Sequence, residues 1–76
     1  MSNVQPPSSA RGVFCANLRR IRLERGMSQE LLADEAGLHR TYVSSVERGE
    51  RNLTIDSMER LAKALGVDVC TLLCHD

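Results

Sequence analysis

The segment from His39 to Asn52, HRTYVSSVERGERN, places arginines and short hydroxyl side chains at spacings that suit a polar binding surface. Four side chains at i, i+1, i+4 and i+5 share one face of a helix: Arg40, Thr41, Ser44 and Ser45. Arginine can donate two parallel hydrogen bonds to a phosphate or to guanine O6 and N7. Short hydroxyls let a helix approach base edges, and a threonine methyl group can contact thymine. The chemistry indicated is hydrogen bonding to phosphates and base edges.

Few side chains of this segment are available for a hydrophobic core. The three clearly apolar residues are Tyr42, Val43 and Val46. A helix over residues 40–48, stopped by Gly49, would bury the two valines and turn the hydroxyl-bearing face outward. Other elements must therefore hold this helix in place.

The first of these elements follows an N-terminal stretch that lacks periodicity. Residues 1–12 contain a proline pair and a serine pair, which predicts a flexible tail ahead of one domain over residues 13–76. From Val13 onward the apolar spacing predicts an amphipathic helix, whose buried stripe is Phe14, Leu18 and Ile21.

Capping residues mark the remaining helices, because side-chain oxygens satisfy the first backbone N–H groups and glycines accept a left-handed end. The predicted N-caps are Ser28, Thr54 or Asp56, and Asp68. The predicted terminal glycines are Gly26, Gly37, Gly49 and Gly66. The fourth helix is expected to face inward through Ile55, Met58, Leu61, Ala62 and Leu65. With no strand pattern present, the prediction is an all-α fold of five short helices.

The second and third of these helices meet the demands of a helix-turn-helix. Two closely crossing helices require a small contact residue, and Ala33 fits that position. The tight turn requires a residue that tolerates positive φ, and Gly37 provides it. The inner faces must be apolar, as they are at Leu32, Ala36, Leu38, Val43 and Val46.

Residues 13–73 resemble the lambda-repressor-like, Cro- or Xre-type helix-turn-helix regulators through NLRRIRLERGMSQELLADEAGL, RTYVSSVERGERN and MERLAKALGV. The pieces RTYVSSVER and RNLTIDSMERL are also similar to the controller proteins of restriction–modification systems, a subgroup of that family. The resemblance implies a compact five-helix domain that binds double-stranded DNA and regulates transcription as a homodimer on a palindromic operator. The subgroup implies control of a restriction–modification operon and of the regulator's own gene.

The resemblance also implies roles for single residues. It assigns base reading to the four exposed positions of the third helix and places Tyr42 at the edge of the DNA face. Gln29 matches a position that contacts backbone phosphate. Three residues match the loop that meets the other phosphate strand or base edges, namely Arg48, Arg51 and Asn52. For each arginine the alternative is a solvated surface charge, and for Arg48 the two interpretations are equally open.

Two positions near the third helix need a separate interpretation. A carboxylate on a DNA-facing helix would repel phosphate, but in the family the residue matching Glu47 pairs with an arginine of the first helix, here Arg22. The resemblance therefore implies a structural ion pair. His39 replaces the usual Ser or Asp before the third helix, which weakens that cap; a phosphate contact is the alternative role.

A dimer surface is expected at the C-terminal end of the chain. The last two helices carry more apolar groups than a short capped end needs to close its own core. The residues assigned to this surface are Ile55, Val67, Val69, Leu72 and Leu73. The resemblance to the controller proteins, which dimerise through this end, implies the same location.

Composition limits the class of protein. Ten basic and ten acidic residues give zero net charge, which argues against a purely electrostatic, histone-like binder of nucleic acid. Residues 11–52 hold eight arginines and six acidic residues, a charge of +2. Residues 53–76 hold two basic and four acidic residues, a charge of −2. The first part is therefore the better suited to face a polyanion.

Cysteine usage points to a reducing compartment. The three cysteines are Cys15, Cys70 and Cys74. No signal-peptide pattern or membrane-length apolar run accompanies them, so we expect a cytoplasmic protein with no membrane partner. Cys70, Cys74 and His75 supply too few ligands for a metal site. We interpret the thiols as small core residues and expect no metal or other cofactor.

Two other functions remain compatible with this fold. An enzyme would need a nucleophile–base pair or paired carboxylates in a cleft, but His39 and His75 lie in no catalytic motif. A domain of this size rarely encloses a pocket, so we predict no catalytic residue and no small-molecule ligand. A protein-interaction module or antitoxin subunit is the more serious alternative, because zero net charge suits it.

Overall fold

Five α-helices in chain order make up the protein, as seen in a computed structural model that describes residues 9–74. The helices are α1 Ala10–Glu24, α2 Gln29–Ala36, α3 Arg40–Glu47, α4 Ile55–Leu65 and α5 Val69–Leu73. No strand occurs within residues 9–74, so the predicted all-α, five-helix fold is confirmed. The predictions that fall on residues 1–8 and on His75 lie outside the described residues.

The first helix begins earlier than the sequence pattern indicated. Ser9 is the N-cap, and its Oγ accepts a hydrogen bond from the backbone N–H of Gly12 at 3.0 Å. The predicted boundary at residue 13 was therefore wrong for the described part of the tail. Ser9, which we assigned to the tail, caps a helix that begins at Ala10. The same chemistry starts α2 and α4, where Ser28 and Thr54 accept from Leu31 N and Ser57 N.

The turn between α2 and α3 depends on a glycine. Gly37 adopts φ 72°, a left-handed conformation that other L-residues rarely hold. The backbone N–H of Leu38 then donates to the carbonyl of Ala33 at 2.8 Å, which closes the end of α2. A Cβ added at Gly37 would lie 3.1 Å from Arg60 Nη1, so the turn is also closely packed.

A single core joins all five helices. Its largest completely buried side chains are Phe14, Leu18, Leu32, Leu61, Leu72, Val43 and Val46. Burial of a leucine or valine of this kind stabilises the folded state by about 1.5–3 kcal/mol. Because Val43 and Val46 both belong to α3, the core fixes the side of that helix that must face inward.

Two predictions about buried residues need correction. Ile55 was expected to face inward, but it opens α4 and is 65% exposed. The thiols were expected to fill the core, but only Cys15 of the three is buried, and Cys70 and Cys74 are exposed. Burial raises the pKa of the Cys15 thiol, so it stays protonated at neutral pH. Ile55, Cys70 and Cys74 lie near the ends of α4 and α5, where too few side chains pack around them to bury them.

Residues 9–74 contain neither a membrane-spanning helix nor a cluster of metal ligands. No helix in this part of the chain is both long and apolar enough to cross a membrane. In the same residues, no three His, Cys, Asp or Glu side chains cluster as a metal ion would require.

Candidate nucleic-acid interface

The outward face of α3 forms the candidate interface. Arg40 and Thr41 are exposed in its first turn, and Ser44 and Ser45 lie half-buried one turn later. The structure thus brings together the four side chains that the sequence placed on one helix face. His39 precedes them as the N-cap residue and makes no side-chain hydrogen bond to the helix, so the predicted weakness of this cap is confirmed.

The two serines of this face already have partners within the protein. Ser45 Oγ donates to the carbonyl oxygen of Thr41 at 2.8 Å. Ser44 Oγ accepts a hydrogen bond from Arg48 Nη1 at 2.5 Å. Ser44 Oγ keeps its O–H donor and Ser45 Oγ keeps its acceptor lone pairs, so each hydroxyl can still bond a base edge.

Arg48 is held by a second partner that the sequence analysis did not identify. Its Nη2 donates to Glu50 Oε1 at 3.1 Å, and both side chains are exposed. This hydrogen bond is the main cause of a raised pKa at Arg48 and a lowered pKa at Glu50. Both groups are therefore charged at neutral pH, and the arginine lies along α3.

The loop after α3 presents two more of the predicted residues. The Arg51 guanidinium lies 5.6 Å from the centroid of the Tyr42 ring, within the range of a cation–π contact. Asn52 Oδ1 accepts a hydrogen bond from Arg11 Nη1 at 2.6 Å, which links the loop to the start of α1. Arg51 and Asn52 are exposed, and Tyr42 is half-buried beside them.

Beneath this surface, a buried ion pair joins α3 to α1. Arg22 Nε lies 2.6 Å from Glu47 Oε2, and Arg22 Nη1 donates to the Met27 carbonyl at 2.7 Å. Gln29 Nε2 donates to Glu47 Oε1 at 3.0 Å. Gln29 thus supports Glu47, a contact the sequence did not suggest, and its contact with phosphate stays a prediction.

The residues assigned to a dimer surface do not share one environment. Leu72 is completely buried and belongs to the core of its own chain, so its assignment to the surface was wrong. Leu72 packs inward because α5 has only five residues, and the apolar side chain that faces the core holds this short helix on the domain. Ile55 and Leu73 are exposed, and Val67 and Val69 are half-buried.

Three residues make contacts that spacing in the sequence did not indicate. Arg11 reaches Asn52 across 41 positions, and Asn17 donates to the carbonyls of Leu72 and Cys74. The third is Glu50, which lies two residues from its partner in an irregular loop. A charge of opposite sign beside Arg48 and Arg51 was the one signal available for Glu50.

Comparisons with known proteins identify the family of this chain and structures with the same fold. The helix-turn-helix family profile matches residues 18–72. The control protein C.BamHI of Bacillus amyloliquefaciens is 49% identical over 67 residues, 87% of this chain and 83% of that protein. The crystal structure of the restriction–modification controller protein C.AhdI from Aeromonas hydrophila has a TM-score of 0.77 at 43% identity, covering 79% of this chain and 91% of that one.

A third relative was solved with DNA. The restriction–modification controller protein C.Esp1396I, crystallised as a tetramer with its natural 35-base-pair operator, has a TM-score of 0.79 at 43% identity. The match covers 86% of this chain and 86% of that chain.

Proposed function

The chain belongs to the Xre-type helix-turn-helix family, and we propose that it is a sequence-specific transcriptional regulator of the controller class. It binds double-stranded DNA through α3, as a homodimer on a palindromic operator. The proposal extends to control of a restriction–modification operon and of its own gene, as its relatives' names suggest. The protein acts in the cytoplasm. Its proposed function involves no catalytic step, cofactor or small-molecule ligand.

One observation carries this proposal: α3 exposes a row of hydrogen-bonding side chains while its other side is fixed in the core. Val43 and Val46 are completely buried, so the helix cannot rotate without opening the domain. The side chains presented outward are Arg40, Thr41, Ser44 and Ser45. These types match the major groove, where arginine reads guanine and short side chains permit close approach.

The loop residues extend this surface toward the phosphates. Arg51 keeps its guanidinium exposed while it packs against the Tyr42 ring, so it is preorganised for a contact outside the groove. Arg11 holds Asn52 in the same loop. Phosphate contacts of this kind set the register of α3 on the duplex, whereas the row of side chains on α3 determines which DNA sequence is bound.

Selection from a random duplex library tests the proposal directly. The protein is incubated with random double-stranded DNA, bound fragments are recovered and sequenced, and the enriched duplex is footprinted. We expect a palindromic sequence whose half-sites lie about 34–36 Å apart, one helical turn, on one face of the DNA. Failure to enrich any sequence over several rounds would reject DNA binding and favour a protein-interaction module with this fold.

A further inference from the structure

A carboxylate lies in the middle of the surface proposed to face DNA. Glu50 stands between Arg48 and Arg51 in the loop after α3, and all three side chains are exposed. A carboxylate facing the DNA backbone repels phosphate and weakens binding to any duplex. Its place among the arginines therefore calls for a function other than direct contact with DNA.

The contacts of Glu50 indicate what that function is. Glu50 holds Nη2 of Arg48 at 3.1 Å, while Nη1 of the same guanidinium donates to Ser44 Oγ at 2.5 Å. Both sides of the arginine fork are thus occupied, and the side chain is fixed along α3 between the base-facing row and the loop. The ion pair is accessible to competing anions, because its side chains are 54% and 59% exposed.

We propose that Glu50 sets the sequence selectivity of this protein by holding Arg48 against Ser44, away from the phosphates of duplexes that α3 does not fit. The inference rests on the proposed DNA-binding function. Glu50 is a positioning residue, because it acts through Arg48 and makes no contact with bases itself.

The selectivity follows because the protein binds matched and unmatched duplexes through different contacts. Binding to unmatched DNA depends almost entirely on phosphate neutralisation by basic side chains. A tethered Arg48 contributes less to that mode, and the nearby carboxylate opposes it. On a matched duplex, α3 enters the groove with Arg48 already seated against Ser44, so the pair with Glu50 persists. Glu50 thus lowers the affinity for wrong sequences more than the affinity for the right one.

The positive charges in the loop stabilise the ion pair between Glu50 and Arg48. The hydrogen bond and the positive charge of Arg48 lower the pKa of Glu50, and the charge of Arg51 acts in the same direction. Glu50 is therefore ionised at neutral pH, and its ion pair with Arg48 is present under these conditions.

The test compares Glu50→Gln with the wild-type protein on two probes. One probe is the duplex that the wild-type protein enriches from a random library, and the other is a scrambled duplex of equal length and composition. Fluorescence anisotropy at low salt should show about fivefold or more tighter binding of the scrambled duplex, with the enriched duplex changed by less than about twofold. The slope of log K against log salt on the scrambled duplex should steepen by about 0.9, the value for one added phosphate contact.

A matched control is available in α1. Glu24 Oε2 accepts from Arg20 Nη1 at 3.1 Å in another exposed pair, so Glu24→Gln makes the same charge change away from α3. We expect it to leave the ratio of the two affinities unchanged. In an Arg48→Ala background, Glu50→Gln should no longer change the ratio of the two affinities, since its partner is absent.

Three outcomes would overturn the inference. These are no preferential gain on the scrambled duplex, a change in the affinity ratio matched by Glu24→Gln, and a change in that ratio that persists in the Arg48→Ala background. In each case the wild-type protein still binds its enriched duplex, so the proposed function stands. If no duplex is enriched or bound saturably by the wild-type protein, both the function and the inference are rejected.

Discussion

Arg22 contacts Glu47 at two points, with Nε donating to Oε2 at 2.6 Å and Nη2 donating to Oε1 at 3.0 Å. The two side chains are 8% and 3% exposed, so the charges are almost completely withdrawn from water. Arg22 belongs to α1 and Glu47 ends α3, so the pair connects α1 to the helix that is proposed to face DNA. Its position suits a structural role.

Arg22→Ala and Glu47→Ala are each expected to destabilise the fold. Removing one member of a buried pair leaves the other charge uncompensated, at a cost of up to about 3–5 kcal/mol. Thermal melting followed by circular dichroism measures the loss. Glu24→Ala, which breaks the exposed pair with Arg20, is the control and should cost less than about 1 kcal/mol. Unchanged melting temperatures with lost DNA binding would instead place Arg22 and Glu47 in the DNA interface.

Arg40→Ala is expected to weaken binding of the enriched duplex and relax its sequence preference. Arg40 is exposed in the first turn of α3, where a side chain can reach a guanine edge. The expected cost is about 1–3 kcal/mol, with discrimination lost at one base position of each half-site. Affinity measurements on a set of single-base variants show which position is affected. A wild-type preference at every position would mean that Arg40 does not read a base.

Arg51→Ala is expected to weaken binding to all sequences alike. If the exposed guanidinium contacts phosphate, its loss flattens the slope of log K against log salt by about 0.9. Arg51→Lys is the informative control, because lysine keeps the charge but loses the planar contact with the Tyr42 ring. We expect the lysine variant to retain the salt slope at lower affinity. Loss of preference at one base, with an unchanged slope, would identify Arg51 as a base-reading residue.

The parts of the structure that local chemistry determines were predictable from the sequence. Ser28 and Thr54 cap their helices, and Gly37 takes the left-handed turn, because each needs only neighbouring backbone groups. Val43 and Val46 are buried because their spacing leaves one apolar face on α3. These features were enough to give the five helices and the orientation of the binding face.

The parts that depend on packing or on side-chain choice were not predictable in the same way. Leu72 and Leu73 are adjacent and chemically identical, and only the docking of α5 decides which one is buried. Gln29 donates its amide N–H to the Glu47 carboxylate, which the sequence did not indicate, and its expected contact with phosphate stays a prediction. Glu50 has several possible partners in the sequence, and the path of the loop selects Arg48.

Asn17→Ala is expected to loosen the C-terminal helix. Asn17 is buried in α1, and its Nδ2 donates to the carbonyls of Leu72 at 2.9 Å and Cys74 at 2.8 Å. These carbonyls lie at the end of α5, where the helix itself supplies no donors. Leaving them unsatisfied should cost about 1–3 kcal/mol in urea unfolding. Asn52→Ala removes only the exposed hydrogen bond from Arg11 and should cost about 0.5 kcal/mol, the low end for one hydrogen bond. Equal effects of the two substitutions would contradict this role of Asn17.

The homodimer prediction concerns the exposed apolar residues at the ends of α4 and α5. One α3 carries four side chains that are proposed to read bases, too few for useful selectivity in a genome, and pairing two copies would double that number. Ile55 is 65% exposed and Leu73 is 38% exposed, so neither is needed to close the core of its own chain. These two residues are therefore the proposed centre of the dimer surface.

Ile55→Asp is expected to convert a dimer into a folded monomer. Sedimentation equilibrium at micromolar concentration should give a dimer for the wild-type chain and a monomer for the variant, with equal helical content by circular dichroism. The variant should bind a single half-site as the wild-type protein does, but lose the added affinity of two half-sites. Leu72→Asp provides the contrast, because a charge at this completely buried position should unfold the domain. A wild-type chain that stays monomeric throughout this range and binds one asymmetric half-site would refute the dimer.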